Sequence, residues 1–122
     1  MARKSILEQV NAQIERTQTA IEWMNESEKK MIELGEAILS DKCKLSEYHE
    51  AASAWEGWQW NVYRELKKLS NLIGITVDLP RNCTPYYMRK MFRNICWQWA
   101  PIEALLKSLH KEQTSAVSKE NI

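Results

Sequence analysis

The chain has 122 residues and nearly balanced charge, with 17 lysines and arginines against 16 aspartates and glutamates. This length suits one domain with a small core, and three glycines and three prolines are too few for a turn-rich β fold. No apolar run approaches the roughly 18 residues that a membrane-spanning helix requires. Residues 1–10 lack the apolar block of a signal peptide. The three cysteines are never closely paired, which is typical of reduced thiols in a cytoplasmic protein.

The first predicted helix begins at Ser5 and carries a long heptad repeat. Ser5 and Glu8 match the capping box, in which each residue satisfies a free backbone N–H of the other. Across residues 7–38, seam positions recur at spacings of three and four, which predicts one core-facing seam. Polar residues enter this seam at Thr17 and Glu28, where they can fix its register.

The second predicted helix covers residues 45–73 and has the same spacing of apolar positions. Gly74 follows the last apolar position, where a left-handed helix cap is expected. The next segment, residues 75–83, alternates apolar Ile75, Val77 and Leu79 with polar residues. A single strand would have no partner elsewhere in the chain, so we expect a loop that packs these side chains against the helices.

The third predicted helix begins at Thr84 and Pro85, a pair typical of a helix start. Its apolar repeat runs through Pro101 without losing phase, which favours one helix kinked near Pro101. Two helices separated at this proline are the alternative, because proline in a helix interior costs about 3 kcal/mol.

The sequence therefore predicts an all-α fold, an elongated antiparallel three-helix bundle. A helical hairpin packs with a third helix, and heptad spacing predicts shallow crossing angles of about 20°. We expect a single helical domain over residues 1–111 and a frayed or disordered tail over residues 112–122. A homo-oligomer built on the long first helix is the alternative architecture.

No pattern of residues indicates catalysis or cofactor binding. Each glycine is isolated, so there is no phosphate-binding loop, and His49 and Glu50 lack the second histidine of a zinc-protease motif. The cysteines and histidines do not have metal-ligand spacing. We therefore expect no enzyme activity, no cofactor and no bound metal.

Six tryptophans are the unusual feature of the composition. Trp55 and Trp99 lie on the predicted seams, whereas Trp23, Trp60 and Trp97 fall on outer faces. Exposed tryptophans concentrate at protein interfaces. The alternative is that the 75–83 loop or the kink covers one or two of them.

A basic and aromatic cluster opens the third helix. Residues 1–80 hold ten Lys and Arg against thirteen Asp and Glu, whereas residues 81–122 hold seven against three. This asymmetry favours an acidic partner for the second half; the alternative is a solvated face that pairs with acidic residues of the first two helices. The predicted partner-binding residues are Trp60, Tyr63, Tyr86, Tyr87, Arg89, Arg93 and Trp97.

These features predict a non-enzymatic module that binds a larger protein or complex as an adaptor, subunit or inhibitor. Regulators from phages and mobile elements have a similar size and style. A nucleic-acid-binding module that uses residues 81–111 is the alternative, because arginines can hold phosphates and aromatic rings can stack on bases.

Overall fold

A computed structural model describes the backbone of residues 5–120 and the side chains of residues 5–110. Three helices follow in order: α1 (Ile6–Leu39), α2 (Leu45–Ile73) and α3 (Pro85–Glu120). The all-α three-helix bundle is thus confirmed. Pro101 lies inside α3 and does not separate two helices. The predicted tail has helical backbone to Glu120, but its side chains lie outside the described residues, so its fraying stays a prediction.

The helix ends follow the local signals in the sequence. The Glu8 backbone N–H donates to the Ser5 hydroxyl at 3.2 Å, so Ser5 caps α1 as the sequence indicates. Thr84 does the same for α3, because the Tyr87 N–H donates to its hydroxyl at 3.2 Å. Gly74 ends α2 with a φ of 80°, in the left-handed region.

Gly74 and Gly57 provide a matched pair of substitutions. We expect Gly74→Ala to lower the free energy of unfolding by about 1 kcal/mol, because a Cβ disfavours its positive φ. Gly57→Ala should raise it by up to about 1 kcal/mol, since Gly57 is inside α2 and an added Cβ would meet no atom within 4 Å. Urea denaturation measures both changes, and effects of the same sign would contradict this assignment.

The hairpin is antiparallel, and a buried polar group sets its register. The Gln13 amide donates to the Glu65 carbonyl at 3.3 Å and to the Glu65 carboxylate, and it lies 3.4 Å from the Thr17 hydroxyl. Thr17 is completely buried. Because buried polar groups must find partners, a shift of α1 against α2 would leave this amide unpaired.

The third helix runs antiparallel to α1 and therefore parallel to α2. Arg89 reaches the Asn25 side chain at 2.8 Å, and the Trp99 indole donates to Asn11 at 3.4 Å. Because α3 begins opposite the middle of α1, residues 75–84 must first carry the chain back along α2. We call residues 75–84 the crossing segment.

The core lies where all three helices and the crossing segment meet. In α1, residues 25–39 include no buried residue, so the end of the hairpin near the α1–α2 turn is a two-helix structure. Leu79 is buried, and Val77 and Cys83 pack against the same cluster, which confirms the predicted packing of Val77 and Leu79. Ile75 is half-buried and is not part of this cluster. The buried apolar residues of this core are Val10, Ala20, Ile21, Met24, Val62, Leu66, Leu69, Leu79, Met88, Phe92, Ile95 and Trp99.

Candidate functional site

The outer face of α3 presents a stripe of two aromatic and two basic side chains. Tyr86, Lys90, Arg93 and Trp97 follow one another at spacings of four, three and four, so they share one side of the helix. All four are exposed, Tyr86 to 66% and Trp97 to 83%. The opposite side of α3 carries Ile95 and the other core residues. We call these four residues the basic-aromatic stripe.

The charge of this stripe is not neutralised locally. Residues 85–102 contain three basic residues and no acidic residue, and the first carboxylate of α3 is Glu103. Among the described residues, neither Lys90 nor Arg93 forms an ion pair. The positive end of the α3 dipole lies at the same end of the helix and adds to this field.

Arg89 faces α1 and is not part of the stripe. Its guanidinium donates to Asn25 at 2.8 Å and pairs with Glu28 at 3.5 Å. The alternative prediction from the sequence is that the basic residues pair with acidic residues of the first two helices. Arg89 follows this alternative, because it pairs with Glu28 of α1. The ion pair is about one-third exposed on both sides, so its contribution to stability is small.

Tyr63 and Tyr87, the predicted tyrosines outside the stripe, hold the crossing segment. The Tyr63 hydroxyl donates to the Leu79 carbonyl at 3.1 Å, and the Tyr87 hydroxyl donates to the Asp78 carbonyl at 2.8 Å. Trp60 stands edge-on to Tyr63 at 5.8 Å and is 46% exposed. The seven predicted residues therefore fall into two groups. Trp60, Tyr63, Tyr87 and Arg89 have contacts within the chain. The outward group contains Tyr86, Arg93 and Trp97.

A second surface was not predicted: the outer cleft between α1 and α2. Trp23 of α1 stacks on Trp58 of α2, with ring centroids 5.9 Å apart and planes 13° from parallel. Trp23 is 54% exposed, which confirms its predicted outer position. Two open chambers lie on either side of this stack, of about 830 and 630 Å³, and both are lined by Trp23 and Trp58.

This cleft is acidic and lies away from α3. Trp23 and Asn25 are two residues apart, about 200° around the helix, and Asn25 faces α3. Small side chains such as Ala20, Ala51 and Ala54 form part of the cleft wall. Its charged lining residues are Glu15, Glu26, Glu33, Glu47, Glu50 and Glu65 against Arg16, Lys29 and Lys30. We call this surface the acidic cleft.

Four of these carboxylates are available to a ligand. Glu65 is engaged with Gln13 and Lys68, and Glu47 accepts a hydrogen bond from the Lys44 backbone N–H. In the described part of the chain, the other four form no ion pair. They are Glu15, Glu26, Glu33 and Glu50.

The thiols and the potential metal ligands offer no comparable site. Burial raises the pKa of Cys83 and Cys96 above the ordinary thiol value of 9.0, which favours the unreactive neutral form. Burial, followed by the neighbouring Glu47 carboxylate, raises the pKa of Cys43. Among the described residues, no three His, Cys, Asp or Glu side chains are grouped to hold a metal ion.

Comparison with known proteins finds no matching family model, no similar curated protein and no similar solved structure. Within the described residues, no helix has both the length and the apolar character needed to cross a membrane. The case for a function therefore depends on the two surfaces, the basic-aromatic stripe and the acidic cleft.

Proposed function

We propose that this protein is a non-enzymatic interaction module that binds an acidic surface of a larger protein through the basic-aromatic stripe. The observation that carries the proposal is the 83% exposure of Trp97 one turn from Arg93, on an outward helix face. Tryptophan and arginine are the residues most enriched among binding hot spots. An indole exposed to this extent contributes nothing to the core of the isolated chain.

The stripe is also rigid enough to bind without a large ordering cost. Met88, Ile95 and Trp99 anchor the opposite side of α3 in the core. Tyr86 and Trp97, at the two ends of the stripe, are eleven positions apart, about 17 Å along the helix. A preformed helix of this kind loses little conformational freedom on binding.

Nucleic acid is the second candidate, because residues 85–102 combine three basic residues, two outward aromatic rings and no carboxylate. Such rings can stack on unpaired bases. The formal net charge of the whole chain is only +1, and the acidic cleft would repel phosphate. Nucleic-acid binders are usually strongly basic, so we place protein binding first.

A capture experiment with two matched triple variants tests the proposal. The stripe variant carries Lys90→Ala, Arg93→Ala and Trp97→Ala, and the comparison variant carries Trp60→Ala, Arg64→Ala and Lys68→Ala on α2. Tagged proteins are incubated with native-host lysate, with and without nuclease treatment, and retained proteins are quantified by mass spectrometry. Because one hot spot is worth about 2 kcal/mol, the stripe variant should bind the partner at least about thirtyfold more weakly.

The comparison variant removes the same three side-chain types, including the predicted residue Trp60, whose ring packs edge-on against Tyr63 and lies outside the stripe, and it should retain the partner. Equal losses with both variants would contradict the assignment to α3. Retention that disappears on nuclease treatment, together with binding that weakens steeply with salt, would instead support the nucleic-acid candidate.

A further inference from the structure

We propose that the chain associates head-to-tail with itself, and that the basic-aromatic stripe of one copy occupies the acidic cleft of the next. This inference rests on the proposed function, in which the stripe is an interaction surface, and it names a second copy of the chain as an occupant. Two observations support it: complementary charge and matched spacing.

The charges of the two surfaces are opposite. Lys90 and Arg93 on the stripe form no ion pair within the described chain, and neither do Glu26, Glu33 and Glu50 in the cleft. Each surface therefore has charges without an ion-pair partner among the described residues. Opposite potentials of this kind select a partner and speed its encounter.

The spacing of the stripe matches the spacing of the cleft. The lining of the two chambers covers residues 12–23 and 23–34 of α1, so their centres lie eleven residues apart, about 17 Å. Tyr86 and Trp97 are also eleven residues apart on one helix face. One ring can therefore enter each chamber while the α3 axis follows the cleft.

The ridge between the chambers suits the middle of the stripe. With Tyr86 and Trp97 in the chambers, Lys90 and Arg93 lie above the stacked rings of Trp23 and Trp58. Glu26, one turn from Trp23 on α1, lines the same cleft and can hold a guanidinium or ammonium group.

The position of the two surfaces determines the form of the assembly. Stripe and cleft lie on opposite sides of one chain, so the contact joins two different surfaces. Such a heterologous contact leaves an unused stripe on one copy and an unused cleft on another, so further copies can add until the assembly closes into a ring or grows as an open chain. We therefore expect the average mass to rise with protein concentration.

Two complementary variants test this arrangement. Here the stripe variant is K90Q/R93Q, which keeps Trp97 and an intact cleft, and the cleft variant E26Q/E50Q keeps an intact stripe. Each should sediment as a monomer at concentrations where the unmodified chain associates. An equimolar mixture should form a discrete 1:1 dimer by sedimentation equilibrium, because only one productive contact remains. A charge-matched control, E36Q/E56Q, alters exposed glutamates outside the two chambers and should associate like the unmodified chain.

Indole signals in NMR spectra locate the contact. In the ¹⁵N-labelled stripe variant, the Trp23 and Trp58 Nε1–H signals should shift when the unlabelled cleft variant is added, and the Trp97 signal should not. The reverse labelling should shift the Trp97 signal of the cleft variant. Assignment by single Trp→Phe substitutions identifies each signal.

The possible failures are distinguishable. A monomer at all concentrations of the unmodified chain would overturn head-to-tail association and would leave stripe-dependent capture of a larger partner intact. Association of the unmodified chain without a dimer in the variant mixture would show that other faces are used, which also overturns it. If partner capture survives the stripe substitutions, the proposed function fails whatever the sedimentation result.

Discussion

Trp99→Ala is expected to lower the free energy of unfolding by about 4 kcal/mol, whereas Trp97→Ala should change it by less than about 0.5 kcal/mol. The two tryptophans are two residues apart on α3 and have the same helix propensity. Trp99 is 4% exposed and packs in the core, whereas Trp97 is 83% exposed. Truncating a buried ring loses transfer free energy and leaves a cavity, and truncating an exposed ring does neither.

Urea denaturation followed by circular dichroism measures both values. A domain of this size has a stability of about 5–15 kcal/mol, so Trp99→Ala removes a large fraction of it. In the capture experiment, Trp97→Ala should bind the partner weakly although it folds normally. Comparable losses of stability for the two variants would contradict the assigned orientation of α3.

Heptad phase predicted the rotation of each helix about its axis. It placed Trp99 inside, and it placed Trp23, Trp60 and Trp97 outside, as the structure confirms. Continuity of the repeat through Pro101 also predicted one helix, which α3 is. These features were accessible because side-chain periodicity is a local consequence of 3.6 residues per turn.

Heptad phase does not give the position of one helix along another. The Trp23–Trp58 stack depends on the register of α1 against α2, which Gln13 and Glu65 set through a contact between residues 52 positions apart. The acidic cleft was therefore not predicted. The internal hydrogen bonds of Tyr63 and Tyr87 were also inaccessible, because they depend on the path of the crossing segment.

The separation of charge along the sequence becomes a separation in space. The surplus of carboxylates in residues 1–80 contributes to the cleft, and the basic residues after residue 80 contribute to the stripe. An adaptor requires two such surfaces on different sides of one rigid body. In the proposed head-to-tail assembly, a larger partner with an acidic surface would compete with the cleft for the stripe.

The crossing segment holds α3 in place, and Leu79 is its principal anchor. We expect Leu79→Ala to lower the free energy of unfolding by about 3 kcal/mol. Leu79 is buried in the core, and the carbonyl groups of Asp78 and Leu79 accept the hydrogen bonds of Tyr87 and Tyr63. A loosened segment therefore weakens contacts on both α2 and α3.

Val77→Ala is the matched control in the same segment. Val77 is only partly buried, so the loss of its two methyl groups should cost about 1 kcal/mol. Hydrogen exchange should show faster opening of α3 amides in Leu79→Ala, with the α1–α2 hairpin less affected, because local opening follows the weakest packing. Partner capture should then decrease in proportion to the open fraction of α3. Equally faster exchange in all three helices would show that the bundle unfolds only as one unit. The crossing segment would then not stabilise α3 and its stripe independently of the α1–α2 hairpin.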